Sequence, residues 1–358
     1  MNGLKNHKLI TRRKAIVLFL ANLLTMTVFK QNGRATSSKF IKNPNLPSAK
    51  STFKGNKIID GVFQNLYGEV GGDSLLKVLQ WRFSINPQKE LKRTENYSLS
   101  VTDAKSVLQD KDDFIVWLGH ASWLILINGK KILTDPCLTS PPLVKRLTRL
   151  PIPIKDLKPD YLLISHGHFD HLDSDTLEQF SGATALIPLN MTKLIKKINP
   201  EITCHEAGWY QEYKGLEDFK ITFLPAHHWH RRSGNDYNKI LWGSFLIQTP
   251  TNKIYFAGDS AYSPHFKDIG ELFEDIDMAI LPIAAYAPRW FMKSTHINPE
   301  EAMQAYKDLK AKRLIPMHYG TFDLSDEPLG EPEQRLKRIS EQENVTFLTI
   351  GKKLALPR

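Results

Sequence analysis

The sequence predicts an α/β fold in which strands and helices belong to one domain and pack in layers. From Phe114 onward, short apolar runs that are typical of buried strands recur along the chain, and helical stretches lie between them. Several of these strand-like runs end in histidine or aspartate. Because the carboxyl ends of strands gather at one edge of a sheet, these residues predict a functional site at that edge.

The elements of this domain follow one another in a regular order. The segment FIVWLGHASWLILINGKKILTDP predicts two strands joined by a turn at Asn128 and Gly129. The later strand-like runs are YLLIS, ATALIP, KITFLP, SFLIQT, KIYFAGD, MAILPI and RLIPMH. Helices are expected at DSDTLEQF and at NPEEAMQAYKDLK, where Asn298 is a favourable N-cap and Pro299 occupies the first turn.

Residues 1–35 are predicted to form a signal peptide or an N-terminal membrane anchor. The paired arginines Arg12 and Arg13 precede an uncharged run from Ala15 to Phe29, which would form a helix of about 22 Å against about 30 Å of hydrocarbon core. Such a short run is typical of a signal peptide, and the arginine pair resembles a twin-arginine signal. We therefore expect export or membrane association, with an uncleaved anchor as the alternative to cleavage.

Residues 36–110 are expected to form a linker and an N-terminal extension to a main domain at 111–358. Between Asp73 and Ile85, apolar residues recur at helical spacing with basic residues between them. The apolar set is Leu75, Leu76, Leu79 and Phe83, and the basic residues are Lys77 and Arg82. We favour a helix packed on the domain; the alternative is a basic amphipathic helix that touches a membrane surface.

Composition excludes little by itself. The chain carries 48 basic and 38 acidic residues, a net charge of +10 that favours anionic partners. The lysines are dispersed and no basic-aromatic pattern for stacking bases is present, so we do not expect nucleic acid as a partner. Cys137 and Cys204 are too few for a thiolate zinc site and are expected to pack as small apolar residues, with one disulfide left open for an exported protein.

The motif SHGHFDHLD at residues 165–173 concentrates ionisable side chains after a strand-like run. Buried charges need partners, and a divalent metal suits imidazoles and carboxylates together. Residues two apart on an extended backbone point the same way, so His166 and His168 can bind one metal. Asp170 and His171 can reach a second metal beside it. Further candidate ligands stand at three other strand ends, namely His227 or His228 in LPAHHW, Asp259 in FAGDS and His318 in IPMHYG.

These motifs resemble those of metallo-β-lactamase-fold hydrolases, for which H-x-H-x-D-H is a signature. The chain is further similar to N-acyl-phosphatidylethanolamine-hydrolysing phospholipase D and its bacterial relatives. The similarity lies, in order from Trp117 to Phe322, in WLGHAS, LTDP, LISHGHFDHLD, LPAHHW, LWGSF, FAGDS, IAAYAPRWFMKSTHINPEEA and MHYGTF. It implies a four-layer αββα sandwich at 111–358 with a dinuclear zinc site at one edge.

The resemblance also implies seven ligands to two Zn²⁺ ions. The first ion would be held by His166, His168 and His228, and the second by Asp170, His171 and His318. Asp259 would bridge the two ions. His228 is preferred to His227 because the family ligand is the fourth residue of the P-A-x-H-W element. Asp170 and Asp259 would act in catalysis by orienting the nucleophile. Asp135 in LTDP would support the histidine loop.

The function implied by the resemblance is phospholipase D-type hydrolysis. Zinc lowers the pKa of bound water from about 15.7 to near 7, and the resulting hydroxide would attack the phosphorus of N-acyl-phosphatidylethanolamine. The products would be an N-acylethanolamine and phosphatidic acid. Substrate contacts are expected from His120 and His296 beside the site, from Trp290 and Phe291 along an acyl chain, and from Arg289 to a phosphate oxygen.

The same sequence features are compatible with other functions. A lactonase or another small-ester hydrolase of the same fold is the main alternative, because the zinc site would serve it equally well. A nuclease and a non-enzymatic metal-binding protein are less favoured. The sequence does not fix the substrate or the oligomeric state, for which a homodimer is one option, and nitrogen and oxygen ligands also accept iron or manganese.

Overall fold

The computed structural model describes residues 37–70, 75–216 and 218–357. The predicted targeting run from Ala15 to Phe29 lies outside these residues. Within them, no helix combines the length and the apolar character that crossing a membrane requires.

Residues 37–63 form a small antiparallel sheet, and a large mixed sheet begins at residue 114. The small sheet contains β1 (Ser38–Ile41), β2 (Asn56–Ile59) and β3 (Val62–Phe63). The first six strands of the large sheet are β4 (Phe114–Gly119), β5 (Ser122–Ile127), β6 (Lys130–Thr134), β7 (Tyr161–Leu163), β8 (Thr184–Pro188) and β9 (Thr203–Ala207). Strands β4 to β6 are antiparallel, whereas β6 to β9 are parallel.

A second mixed sheet follows, and the chain then returns to the first. The six strands of the second sheet are β10 (Gln211–Glu212), β11 (Lys220–Leu224), β12 (Ser244–Gln248), β13 (Lys253–Phe256), β14 (Met278–Pro282) and β15 (Leu314–Met317). Strands β13, β14 and β15 are parallel, so their carboxyl ends lie at one edge. The last strand, β16 (Lys353–Ala355), pairs with β4 and completes a seven-stranded first sheet.

The helices lie on the outer faces of the two sheets. The extension contains α1 (Leu75–Phe83), α2 (Lys89–Thr94) and a 3₁₀ turn (Lys105–Gln109). Three short helices alternate with the strands from β6 to β9, namely α3 (Ile154–Leu157), α4 (Ser174–Leu177) and α5 (Thr192–Ile198). The remaining helices are α6 (His265–Leu272), α7 (Arg289–Met292), α8 (Pro299–Asp308) and α9 (Glu331–Ile339). The two mixed sheets are therefore flanked by helices, and the predicted α/β sandwich is confirmed.

Alternation along β4 explains why this strand reads as a continuous apolar run. Ile115 and Trp117 join the core that contains side chains of both sheets. Phe114, Val116 and Leu118 join a separate core together with side chains of the helices on the outer face. A strand buried on both faces has no polar face to break its pattern.

The segment 114–136 contains three strands, and our prediction of two was wrong. The turn at Asn128 and Gly129 is confirmed, since both residues have positive φ between β5 and β6. The chain also reverses earlier, at His120 and Ala121, where β4 and β5 form a hairpin. His120 has a φ of 53°, a conformation that is uncommon for histidine and carries no strong sequence signal.

The helix predicted between Asp73 and Ile85 forms as α1, but its contacts differ from the favoured interpretation. Leu76 and Phe83 were expected to pack on the domain, and they are 76% and 84% exposed. Trp81 makes the contact instead, with its ring centroid 5.1 Å from that of Phe291. The helix is thus attached through a different face, and large apolar side chains remain in solvent.

Two further sequence predictions concern a helix cap and the cysteines. Asn298 begins α8 with a capping box: its Oδ1 accepts the Glu301 N–H at 2.9 Å, and Glu301 Oε2 accepts the Asn298 N–H at 3.2 Å. Cys137 is buried, Cys204 is half-buried, and both are free thiols. The structure thus confirms the cap and leaves the cysteines unpaired.

Candidate metal centre

Polar side chains from both sheets converge at the edge where the strands β7, β11, β13 and β15 end. The seven predicted ligands lie in the segments that follow these four strands: His166, His168, Asp170 and His171 after β7, His228 after β11, Asp259 after β13 and His318 after β15. The structure therefore brings all seven together from positions far apart in the chain.

The first group contains three histidines. His166 Nε2 and His228 Nε2 lie 2.9 and 3.2 Å from His168 Nδ1. Burial lowers the pKa of His166 and His228 well below the ordinary histidine value, and it lowers the pKa of His168 to about 3. The imidazoles are therefore neutral, and neutral nitrogens that face one common point are suited to hold a metal ion.

The second group contains one carboxylate and two histidines. Asp170 Oδ2 lies 3.6 Å from both His171 Nε2 and His318 Nε2, which are 3.2 Å apart. These atoms and those of His120 are close enough to share one ion. His120 Nε2 is 3.1 Å from Asp170 Oδ2, so this histidine contacts the carboxylate directly.

Asp259 lies between the two groups. Its Oδ2 atom is 3.1 Å from His171 Nε2 and 3.9 Å from His228 Nε2, and its Oδ1 atom is 3.0 Å from His318 Nε2. One carboxylate thus faces histidines of both groups. This is the placement that a bridging ligand requires.

The charges of the cluster fit divalent cations. Burial opposes ionisation of Asp170 and Asp259, but the adjacent histidines, above all His171, hold the pKa of both carboxyls well below the usual range. The two buried carboxylates need positive charge beside them, and the nitrogen and oxygen donors of the cluster are ones that zinc, iron or manganese accepts.

Buried hydrogen bonds fix the orientation of the histidines. Asp135 Oδ2 accepts a hydrogen bond from His171 Nδ1 at 2.6 Å, and its carboxylate also accepts from Ser165 N and Oγ at 2.7 Å. His228 Nδ1 donates to the Thr295 carbonyl at 2.9 Å. In both imidazoles the remaining nitrogen, Nε2, faces the cluster. Such contacts hold a ligand in the geometry and the tautomer that a metal needs.

Backbone strain is concentrated at the same place. His120, Asp135 and His318 have φ values of 53°, 30° and 67°, which L-residues adopt at an energetic cost. Gly258, with a φ of 59°, precedes Asp259, and a Cβ atom there would lie 2.6 Å from Ser165 Cβ. Strained residues of this kind cluster at functional sites, where the surrounding structure holds them in place.

A cavity of about 740 Å³ opens beside the cluster, and His168, Asp170 and Asp259 contribute to its wall. Its volume lies within the range of small-molecule sites, about 300 to 1,000 Å³. The apolar side chains of the wall include Trp81, Leu143, Val144, Trp229, Phe291 and Met292. The metal centre is therefore reached from a large and mainly apolar space.

Only some of the residues predicted to contact the substrate lie at the cavity. Phe291 and His296 line the cavity, whereas His120 is buried behind Asp170. Trp290 is 49% exposed and does not line the cavity. The prediction for Arg289 needs correction, because both Glu301 carboxylate oxygens accept bonds from its Nη2 at 2.8 Å. Its guanidinium is thus already committed to a carboxylate.

Sequence reasoning missed residues that support or line the site. Arg232 donates to the carbonyls of Gly167 and Leu172 at 3.1 and 2.6 Å, and its guanidinium lies 4.2 Å from the Phe169 ring centroid. It therefore holds the histidine loop from outside. The position of Arg232 just after the histidines at 227–230 could have indicated its role near the site. No local pattern in the sequence indicates that Leu143 lines the cavity.

A two-sheet α/β sandwich with this His/Asp cluster at its edge defines a metal-dependent hydrolase. Residues 130–319, more than half of the chain, match the Beta-lactamase superfamily domain. The chain belongs to the metallo-β-lactamase superfamily. The predicted family and fold are therefore confirmed.

Three relatives and one solved structure place the chain within the superfamily. It is 33% identical over 261 residues to N-acyl-phosphatidylethanolamine-hydrolyzing phospholipase D 1 of Caenorhabditis elegans, spanning 66% of this chain and 73% of that protein. It is 38% identical over 240 residues to the mitochondrial N-acyl-phosphatidylethanolamine-hydrolyzing phospholipase D of Saccharomyces cerevisiae. This match covers 63% of this chain and about half (51%) of that protein. A metal-dependent hydrolase of Pyrobaculum arsenaticum is 30% identical, and the match covers 63% of this chain and 92% of that protein.

The structure of Igni18, a metallo hydrolase from Ignicoccus hospitalis, has a TM-score of 0.54 at 22% identity. The match covers 69% of this chain and 100% of that chain.

Proposed function

We propose that this hydrolase is a phosphodiesterase of the phospholipase D type, which cleaves N-acyl-phosphatidylethanolamine into an N-acylethanolamine and phosphatidic acid. The observation that carries the proposal is the large apolar cavity whose wall includes Asp170 and Asp259 of the metal centre. A lipid with several acyl chains needs such a space beside the reacting phosphate. Two relatives that bear the name of this activity support the same substrate.

The residues of this chain would bind and orient the reactants. His166, His168 and His228 would hold one ion, the second group would hold another, and Asp259 would contact both. Divalent ions held there would lower the pKa of water and would place positive charge beside a phosphoryl oxygen. We propose zinc for both ions, because histidine nitrogens dominate the ligand set.

The reaction itself is a hydrolysis at phosphorus. The oxygen of a water molecule forms a bond to phosphorus, and the bond from phosphorus to the ethanolamine oxygen breaks. Asp170 and Asp259, which line the cavity, would orient the water, one of the two carboxylates would accept its proton, and the departing oxygen would take up a proton to leave as an alcohol. Arg231 also lines the cavity and takes the role of phosphate contact that we first expected of Arg289.

Product analysis tests this proposal. Purified, metal-supplemented protein is incubated with N-acyl-phosphatidylethanolamine, with lactones and with bis-p-nitrophenyl phosphate. We expect N-acylethanolamine and phosphatidic acid in equal amounts. Turnover of lactones without cleavage of the phospholipid would instead support a lactonase, the second candidate, which the same metal centre serves.

Truncation of Phe291 is expected to separate long lipids from small substrates. The Phe291→Ala variant should lose more than tenfold in kcat/KM for a long-chain N-acyl lipid, equivalent to about 1.4 kcal/mol, because the ring forms part of the cavity wall. Turnover of bis-p-nitrophenyl phosphate should change little. The matched control is Trp290→Ala, which removes a neighbouring aromatic outside the wall. Equal losses on both substrates would assign Phe291 to packing.

We also propose that the protein is exported and associates with a membrane surface. The basic and apolar composition of residues 1–35 supports export. Leu76, Phe83 and Ile85 are exposed apolar residues in and just after α1, the helix that contributes Val78 and Trp81 to the cavity wall. Sedimentation with vesicles of anionic phospholipid measures the association. Protein that stays in the supernatant at low ionic strength, together with full-length chain in the soluble cytoplasmic fraction, would contradict the proposal.

A further inference from the structure

The loop between β14 and α7 is held by one buried carboxylate outside the metal centre. Glu327 is 3% exposed. Its Oε1 atom accepts the N–H groups of Ala285 and Tyr286 at 2.6 and 3.2 Å, and its Oε2 atom accepts the N–H group of Ala287 at 2.9 Å. Three consecutive backbone donors therefore converge on a single side chain, an arrangement that binds anions well.

The backbone and the charges around Glu327 indicate that this contact holds the loop in its conformation. Ala285 has a φ of 62°, in the left-handed region that alanine rarely adopts. Among the described residues, no lysine or arginine lies within ion-pair distance of the Glu327 carboxylate. The three N–H groups are thus the polar partners of a buried charge, and charge-assisted bonds of this kind are the strong ones.

The loop leads directly to one side of the cavity. Ala285 contributes to the wall, and α7, which begins at Arg289, contributes Phe291 and Met292. The segment continues to Thr295, whose carbonyl accepts the hydrogen bond of the ligand His228. The path of the backbone between residues 285 and 288 therefore determines where the wall lies relative to the metal centre.

The segment that carries Glu327 is itself anchored by the N-terminal extension. Asn86 Nδ2 of the extension donates to the Asp326 carbonyl at 2.8 Å. Asp326 N also donates to the Ala287 carbonyl at 3.1 Å, a backbone bond between the loop and this segment. Glu95 Oε1 accepts the Gly330 N–H at 3.0 Å. Glu327 thus connects the loop to a segment that is fixed on both sides.

We infer that Glu327 is a positioning residue that sets the acyl-chain wall of the cavity through the backbone of Ala285, Tyr286 and Ala287. Among the described residues, its carboxylate makes no hydrogen bond or ion pair with a candidate metal ligand. The inference rests on the proposed function for its link to acyl chains. The alternative is a carboxylate that only stabilises the fold, and kinetics and hydrogen exchange distinguish the two.

The kinetic experiment compares Glu327→Gln and Glu327→Ala with the full-length protein. Glutamine keeps one acceptor oxygen and replaces the other by an NH₂ group, so we expect KM for a long-chain N-acyl lipid to rise about threefold. Alanine removes all three bonds and should raise KM at least tenfold. We expect kcat for bis-p-nitrophenyl phosphate and the metal content to be unchanged in both variants. Loss of kcat on both substrates, or no change in KM, would overturn the inference.

The matched control is Glu333→Gln in α9. Glu333 accepts a hydrogen bond from the Tyr97 hydroxyl at 2.6 Å and pairs with Lys337. It therefore contacts the extension and its own helix, and within the described part of the chain it makes no hydrogen bond to residues 285–287. This variant should keep the wild-type KM for the lipid. An increase equal to that of Glu327→Gln would assign both residues to general stability.

Hydrogen exchange tests the positioning role independently of any substrate. In Glu327→Gln, amide exchange should accelerate in residues 285–292 and stay unchanged in the histidine loop at 165–173. If the lipid is not a substrate but this exchange pattern appears, the proposed function fails and the positioning role stands. Uniform acceleration across both segments would overturn the positioning role even if the lipid is cleaved.

Discussion

Replacement of His228 by alanine is expected to lower kcat/KM at least about a thousandfold, equivalent to roughly 4 kcal/mol of transition-state stabilisation. The substitution removes the nitrogen that lies 3.2 Å from His168 Nδ1 and 3.9 Å from Asp259 Oδ2. Only two imidazoles would then remain in the first group. We expect elemental analysis of the variant to show loss of at least one metal ion per chain.

The adjacent His227 provides the control for this experiment. Its side chain belongs neither to the three-histidine group nor to the wall of the cavity. The His227→Ala variant should therefore keep its metal content and its activity within about twofold of the wild type, because the half-buried imidazole contributes to neither group of candidate ligands. The opposite pattern, with His227 essential and His228 dispensable, would mean that the ligand after β11 is misassigned.

Removal of the metal ions is expected to lower the melting temperature by about 10 °C. An ion that binds only the folded state at a free concentration a thousandfold above Kd stabilises it by about 4 kcal/mol, and each kcal/mol shifts Tm by about 2 to 4 °C in a domain of this size. Without cations, the buried carboxylates of Asp170 and Asp259 would depend on protonated histidines alone for their counter-charge.

Calorimetry before and after chelation measures this effect, with metal content determined in parallel. Addition of zinc should restore both Tm and activity, whereas magnesium should restore neither, because magnesium disfavours histidine ligands. The His228→Ala variant should respond less to chelation than the wild type. An unchanged Tm in protein shown to be metal-free would mean that the histidines already balance the buried charge.

The strands and the convergence of the predicted ligands could be anticipated because each ligand follows an apolar run that is buried on both sides. Edge strand β9 escaped prediction for the opposite reason. Its residues Thr203 and His205 are exposed, so the strand has no apolar run. Likewise, nothing local marks the hairpin at His120, since its positive φ is imposed by contacts with Thr321 and His318 that are distant in sequence.

Side-chain assignments at the cavity were less predictable because they depend on which way short segments turn. Trp290 and Phe291 are neighbours in the sequence, yet only Phe291 lines the cavity. Arg289 is compatible with a phosphate contact by residue type, and its pairing with Glu301 becomes apparent only when α7 and α8 are seen side by side. The helical spacing of α1 likewise predicted a helix but not the face that packs on the domain.

The cavity has a composite origin that bears on how this enzyme can diverge. All seven candidate ligands lie within residues 130–319, the region shared with the superfamily. Part of the cavity wall comes from outside that region, from Val78 and Trp81 in the extension and from Leu324. The candidate metal ligands and part of the cavity wall are therefore encoded in separate segments of the gene. Substitutions or recombination within the extension can therefore alter the shape of the cavity while every candidate metal ligand is preserved.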